Sequence, residues 1–186
     1  MEKDRYGRIG VDDALLIVID MQERFQPHIH DIDAANGNCI KLIKGCRELG
    51  VPVIVTEQNP KGLGKTIGTV RAALVDYEPF EKTAFSIFED RAIAEALKNA
   101  GRPNLLVCGI EAHVCVIKSA LDALSLGYSV HWISDAISSR HESNAEAAAR
   151  RAVQCGAFSS SAEMALFQLI ASSEDPHFKA LSRIVR

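Results

Sequence analysis

The sequence predicts an α/β fold: a doubly wound, mainly parallel six-stranded sheet of order 3-2-1-4-5-6, layered between helices as a three-layer α/β/α sandwich, with residues 1–186 as one domain. Three observations predict it. Short apolar runs without period-2 alternation, the pattern of strands covered on both faces, recur along the chain. Helical spacings closed by glycine alternate with them. The length, 186 residues with 47% hydrophobic and 24% charged, suits one sizeable core and an ordinary globular composition.

Taken in order, Ala14-Leu15-Leu16-Ile17-Val18-Ile19 is the first strand, and it ends in Asp20. An acidic residue at that point stands where open α/β sheets place ligand contacts; an Asp capping the next turn is the other reading of the same pattern. Cys39, Leu42, Ile43, Cys46 and Leu49 then recur at helical spacing before Gly50, which puts both thiols on the buried face. Residues 51–56 form the second strand, with Pro52 near its start, where a missing N–H is tolerated. Residues 57–65 are a loop whose glycines and lysines only weakly suggest phosphate binding, since no Gly-Lys-Ser/Thr ending opens a helix there.

Residues 80–86 hold a short third strand ending near Lys82, which composition alone would leave on the surface. A helix over 90–100 stops at Gly101, and 105–108 is the fourth strand. Val116, Ala120, Leu121 and Leu124 give the next helix its apolar face, 130–133 is the fifth strand with Asp135 beyond its end, and 142–154 is a covering helix. Ser160-Ser161-Ala162-Glu163 offers a capping box before a last helix that runs to Ile170.

The net charge of −3, with Lys and Arg scattered, gives no reason to expect nucleic-acid or membrane partners. The five cysteines show no pair at metal-ligand spacing, and His28 and His30 have no third ligand at a useful distance, so no metal or other cofactor is expected. The first five residues carry no apolar signal region and no run of about 18 apolar residues occurs. The reading is a cytoplasmic protein with free thiols.

The stretch from Leu105 to Val116 organises the rest. It is a buried-type strand that breaks at Gly109 and opens a helix with Cys115 in the first turn, where backbone N–H groups and the helix dipole favour a thiolate. In the 3-2-1-4-5-6 order the first and fourth strands are neighbours. Asp20 and Cys115, far apart in sequence, therefore meet in the crevice at the strand ends.

The chain resembles the isochorismatase-like cysteine hydrolases, nearest the isochorismatase-domain-containing proteins. The resemblance rests on Leu16 to Gln22, on Lys82 with Thr83-Ala84-Phe85-Ser86, on Cys108 to Cys115, on Ser134 to Arg140, and on Gly156-Ala157-Phe158 and 160–170. It implies Asp20, Lys82 and Cys115 as the catalytic set. It also implies a cis peptide at Ile110-Glu111 that aims N–H groups at an oxyanion, a small-molecule substrate and a homo-oligomer. Two departures narrow it. Isochorismatases proper cleave a vinyl ether and lack the nucleophilic cysteine, which Cys115 supplies here. The nicotinamidase branch has an Asp-x-His metal cluster after its second strand, which Thr56 to Pro60 does not reproduce.

The expected reaction is hydrolysis of a small amide or related C–N bond through a thioester. Lys82 and the helix start would lower the Cys115 pKa, and Asp20 would carry the proton. Phe25 and Phe85, close in sequence to catalytic positions, are either pocket walls or packing residues, and His113 either touches substrate or faces solvent. The alternative function is a non-catalytic thiol-based redox or partner-binding protein on the same fold. It leaves Asp20 and Lys82 without a task, and no resolving cysteine lies nearby in sequence.

Overall fold

β1 (Ala14–Ile19) is buried at every residue, because it runs through the middle of a sheet covered on both faces. A computed structural model describes residues 4–74 and 76–186. The other strands are β2 (Val53–Gln58), β3 (Phe80–Lys82), β4 (Asn104–Gly109), β5 (Ser129–Ile137) and β6 (Phe158–Ser160). The sheet order is β3-β2-β1-β4-β5-β6 and every pairing is parallel, so the predicted topology stands.

The helices are α1 (Ile32–Glu48), α2 (Pro60–Leu63), α3 (Gly68–Ala73), α4 (Arg91–Ala100), α5 (Ile117–Ser125), α6 (Glu142–Gln154), α7 (Ala162–Gln168) and α8 (Phe178–Ile184). α1 packs with α3, α7 and α8, and α5 packs with α6, which makes the two outer layers of a single α/β/α domain. Cys39, Leu42, Ile43 and Cys46 are the buried stripe of α1, as their spacing requires. Asp90 caps α4, its carboxylate accepting from the N–H groups of Ala92 at 3.0 Å and Ile93 at 3.2 Å.

Several details differ from the sequence reading. β2 begins two residues late and runs on to Gln58, which brings Gln58 into register with Lys82. β5 continues through Asp135 to Ile137, past a register shift opposite Val107 and Gly109, so Asp135 lies inside the strand. The cap of α7 is Ser161, which accepts from Met164 N–H at 3.2 Å, one residue later than the expected box. α2, α3 and α8 were not predicted; each has only four to seven residues, too few for an apolar period to show.

Candidate active site

β1 delivers Asp20 in the left-handed region, φ 52°, and the chain turns out of the sheet there, with Gln22 N–H donating to Asp20 O at 2.7 Å. Asp tolerates this conformation better than most residues, and strained backbone of this kind concentrates at functional sites. The carboxylate stays behind in the crevice, fully buried. Its Oδ1 accepts from Thr56 Oγ1 at 2.7 Å and its Oδ2 from Lys82 Nζ at 2.7 Å.

Lys82, at the end of β3, is thus no surface residue; its side chain and that of Asp20 are both completely inaccessible. The ammonium also donates to Gln58 Oε1 at 2.8 Å, Ala84 O at 3.2 Å and Phe85 O at 3.4 Å. A buried ion pair survives only when its remaining donors and acceptors are satisfied, and these contacts do that.

β4 reaches the same point beside β1. Ile110 N–H donates to Ile19 O at 2.9 Å, and Gly109 has φ 126°. The Ile110-Glu111 peptide bond is cis. Residues Ala112–Val116 then form one π-helical turn that runs into α5 and carries Cys115, which is 6% exposed. Such turns are frequent at functional sites. The Glu111 N–H has no acceptor among the described residues.

The segment after β5 ties this turn down. Ala112 N–H donates to Ser138 O at 2.8 Å, Arg140 Nε donates to Glu111 Oε1 at 2.8 Å, and His113 Nδ1 lies 3.0 Å from Ser139 Oγ. His113 is therefore half-buried and engaged with Ser139. Phe25 is half-buried against the core, and Phe85 exposes about half its surface, 51%, next to the carbonyls that Lys82 uses.

One expectation fails. Burial, and after it the charge of the neighbouring Asp20, push the Cys115 thiol up to about 12, while Lys82 offsets this only in part. The reason is that Asp20 and Lys82 come as a pair, so the cation does not act alone, and the thiol has lost most of its water. At neutral pH Cys115 is therefore a neutral thiol.

Sequence reasoning missed Thr56 and Gln58, which bond Asp20 and Lys82 directly, and Gln22, which holds the main chain of Gln58. The available signal was the run of polar residues Thr56-Glu57-Gln58 at the end of an otherwise apolar strand. Cys39 and Cys108, with their sulfurs 3.8 Å apart, and Cys46 are buried between α1 and the sheet, and all five cysteines are free. Among the described residues no group of three or more His, Cys, Asp and Glu side chains is placed to hold a metal ion, and no helix is long and apolar enough to cross a membrane.

Residues 14–164 match the isochorismatase domain. Isochorismatase domain-containing protein 2 of Danio rerio is 36% identical over 180 residues, 96% of this chain and 90% of that protein. The structure of MAR1 ribonuclease from Caenorhabditis elegans has a TM-score of 0.90 at 36% identity, covering 96% of this chain and 92% of that one. The YcaC gene product of Escherichia coli, described as an octameric hydrolase of unknown specificity, shares the fold with a TM-score of 0.90 at 22% identity, covering 98% and 91% of the two chains. The chain belongs to the isochorismatase-like cysteine hydrolase family.

Proposed function

We propose that this protein is a cytoplasmic, homo-oligomeric amidase that hydrolyses a small-molecule amide or related C–N bond through a thioester on Cys115. The observation that carries the reading is the buried Asp20–Lys82 pair, 2.7 Å apart, beside the Cys115 thiol where β1 and β4 end together.

As Cys115 Sγ attacks the carbonyl carbon, its proton passes to Asp20 and the C–S bond forms. The developing oxyanion is received by the N–H groups of Glu111 and Cys115. Collapse expels the amine, which leaves with the proton from Asp20. Water then attacks the thioester while Asp20 accepts a proton from it, and collapse releases the acid and returns that proton to the sulfur. Because the proton moves from sulfur to carboxylate, the buried site carries the same net charge before and after the transfer. A resting thiol with a pKa of about 12 is therefore compatible with a nucleophile that ionises only during attack. Lys82 supplies the constant positive charge. Phe25, Phe85 and His113 are the proposed substrate contacts, and the scheme needs no metal or cofactor.

The raised thiol pKa weighs against the redox alternative, since oxidation follows thiolate character. MAR1 of C. elegans is described as a ribonuclease; the net charge of −3 here supports a small molecule over RNA. The test is a panel of small amides, ureides and carbamoyl compounds, with single-stranded RNA as a further arm, read by product release and by intact mass. The expected result is turnover with an acyl adduct on Cys115, both absent in Cys115→Ala and both unchanged after exhaustive chelation. Turnover by Cys115→Ala, or RNA cleavage without amide hydrolysis, would overturn the reading.

A further inference from the structure

An ammonium has three protons, and those of Lys82 are all engaged: one on Asp20 Oδ2, one on Gln58 Oε1, and one shared by the carbonyls of Ala84 and Phe85. These contacts fix where Nζ lies beside Cys115, on which Lys82 acts by its charge and by a side-chain hydrogen bond, both favouring the thiolate. The strength of both actions depends on where Nζ is held.

Gln58 is the neutral side chain that holds it. Its amide has a fixed direction, because Nε2 donates to Thr83 O at 2.7 Å and so leaves Oε1 facing Lys82. Its main chain is fixed as well. The buried side chain of Gln22 accepts from Gln58 N–H at 2.8 Å and donates to Gln58 O at 3.0 Å and Gly64 O at 2.7 Å. β1 has already turned away at Asp20, so Gln22 gives β2 the donor and acceptor that a continuing strand would have given. Glu57, the adjacent carboxylate, points elsewhere: its Oε1 accepts from Thr66 and Tyr77. The titratable groups facing Lys82 are thus Asp20 from the end of β1 and Cys115 from the turn after β4.

We infer that Gln58 is a positioning residue for Lys82, kept in register by Gln22, and that it governs how readily Cys115 ionises without touching substrate. The inference rests on reading Asp20, Lys82 and Cys115 as the catalytic set. Without the Gln58 acceptor one proton of the buried ammonium is unpaired, Nζ is drawn towards its remaining partners Asp20, Ala84 O and Phe85 O, and less positive charge stands near the sulfur.

The experiment is iodoacetamide alkylation of Cys115 followed by peptide mass spectrometry from about pH 7 to 10, where the rate tracks the thiolate fraction. It compares wild type, Gln58→Met, Gln58→Asn, Lys82→Met and the Gln58→Met/Lys82→Met double variant, with thermal midpoints recorded beside it. Both Gln58 variants should move the profile to higher pH, lowering the rate at a fixed pH on the order of three- to tenfold. In the Lys82→Met background Gln58→Met should add nothing, because its effect runs through Lys82. A folded Gln58 variant with a wild-type profile, or shifts that simply add, overturns the inference while leaving the Lys82 effect in place. If Lys82→Met itself leaves the profile unmoved, the catalytic reading of Lys82 falls and the role of Gln58 falls with it. Should Gln58→Met not fold, Gln58→Asn, which keeps the amide but falls short of Nζ, decides the matter alone.

Discussion

Asp20 has two opposed effects on Cys115. Its charge raises the thiol pKa, yet in the proposed reaction it is the group that takes the thiol proton. Asp20→Asn separates them. Removing the anion should lower the Cys115 pKa, leave Lys82 with the thiolate as its counter-ion, and speed alkylation at pH 8, on the order of tenfold for each unit of pKa lost. Turnover should nevertheless fall by about 10²- to 10⁴-fold, the usual contribution of a positioned acid–base group. The check is alkylation and turnover measured on the same sample, and slower alkylation would show that Asp20 is not holding the thiol proton in place. Mass mapping will also report Cys155, the exposed thiol, so rates must be read per cysteine. At this scale the sequence was informative about which residues gather and uninformative about their state. Asp20, Lys82 and Cys115 were readable from strand ends and motif, because those depend on chain order. The raised thiol pKa was not, because it depends on burial and on the 2.7 Å pairing of Lys82 with Asp20, neither of which has a pattern in the sequence.

The junction of β1 and β4 is the element on which the site is built, and one glycine permits it. A Cβ on Gly109 would lie 2.0 Å from Ile19 O, and the residue has φ 126°, so an alanine is excluded both by contact and by backbone conformation. Both obstacles are main chain, which has no rotamer to give. Gly109→Ala should therefore cost on the order of 3 to 5 kcal/mol and loosen the Ile110 N–H to Ile19 O bond that sets the start of the cis-peptide turn. Urea denaturation measures the first. The second is read in folded protein as a loss of acyl-adduct formation on Cys115. A loss below about 1 kcal/mol with normal acylation would mean the junction can re-form around a side chain. The break at Gly109 was visible in the sequence as punctuation between an apolar run and a helical spacing. The π turn beyond it was hidden, because it differs from an α turn by one residue in hydrogen-bond register and its buried residues, Ala112, Cys115 and Val116, stand at the three- and four-residue spacing of an ordinary helix. Ser138, Ser139 and Arg140 escaped notice as supports of that turn for a related reason, since they reach it only through a fold that places the end of β5 beside it.

The whole molecule has titratable groups buried in their neutral forms, and these set the pH range in which it is stable. The sheet order was legible because parallel strands joined by helices leave few alternatives, but which polar groups the packing would trap was not. His131, on β5, is 1% exposed, stacks on Phe158 with ring centroids 5.4 Å apart, and its Nε2 has no hydrogen-bond partner among the described residues. Burial lowers its pKa from 6.5 to about 4 and outweighs the opposing charge of Asp13. A pKa depressed in the folded state means that the unfolded chain binds the proton first. The stabilisation from neutral His131 is therefore complete above about pH 6.5 and is lost as pH falls through 4, roughly 3 kcal/mol over the window. At the other end burial raises Cys46 and Cys115 from 9.0 to about 12, so their contribution is complete below pH 9 and lost as pH rises through 12. Thermal midpoints should form a plateau between about pH 6.5 and 9 with a decline on each side. His131→Phe, which retains an aromatic ring against Phe158, isolates the acid limb. Its midpoint relative to wild type should improve steadily from pH 6.5 to 4 and stay constant above 6.5. A difference that does not vary with pH would assign the acid limb to other groups and leave His131 a packing residue only.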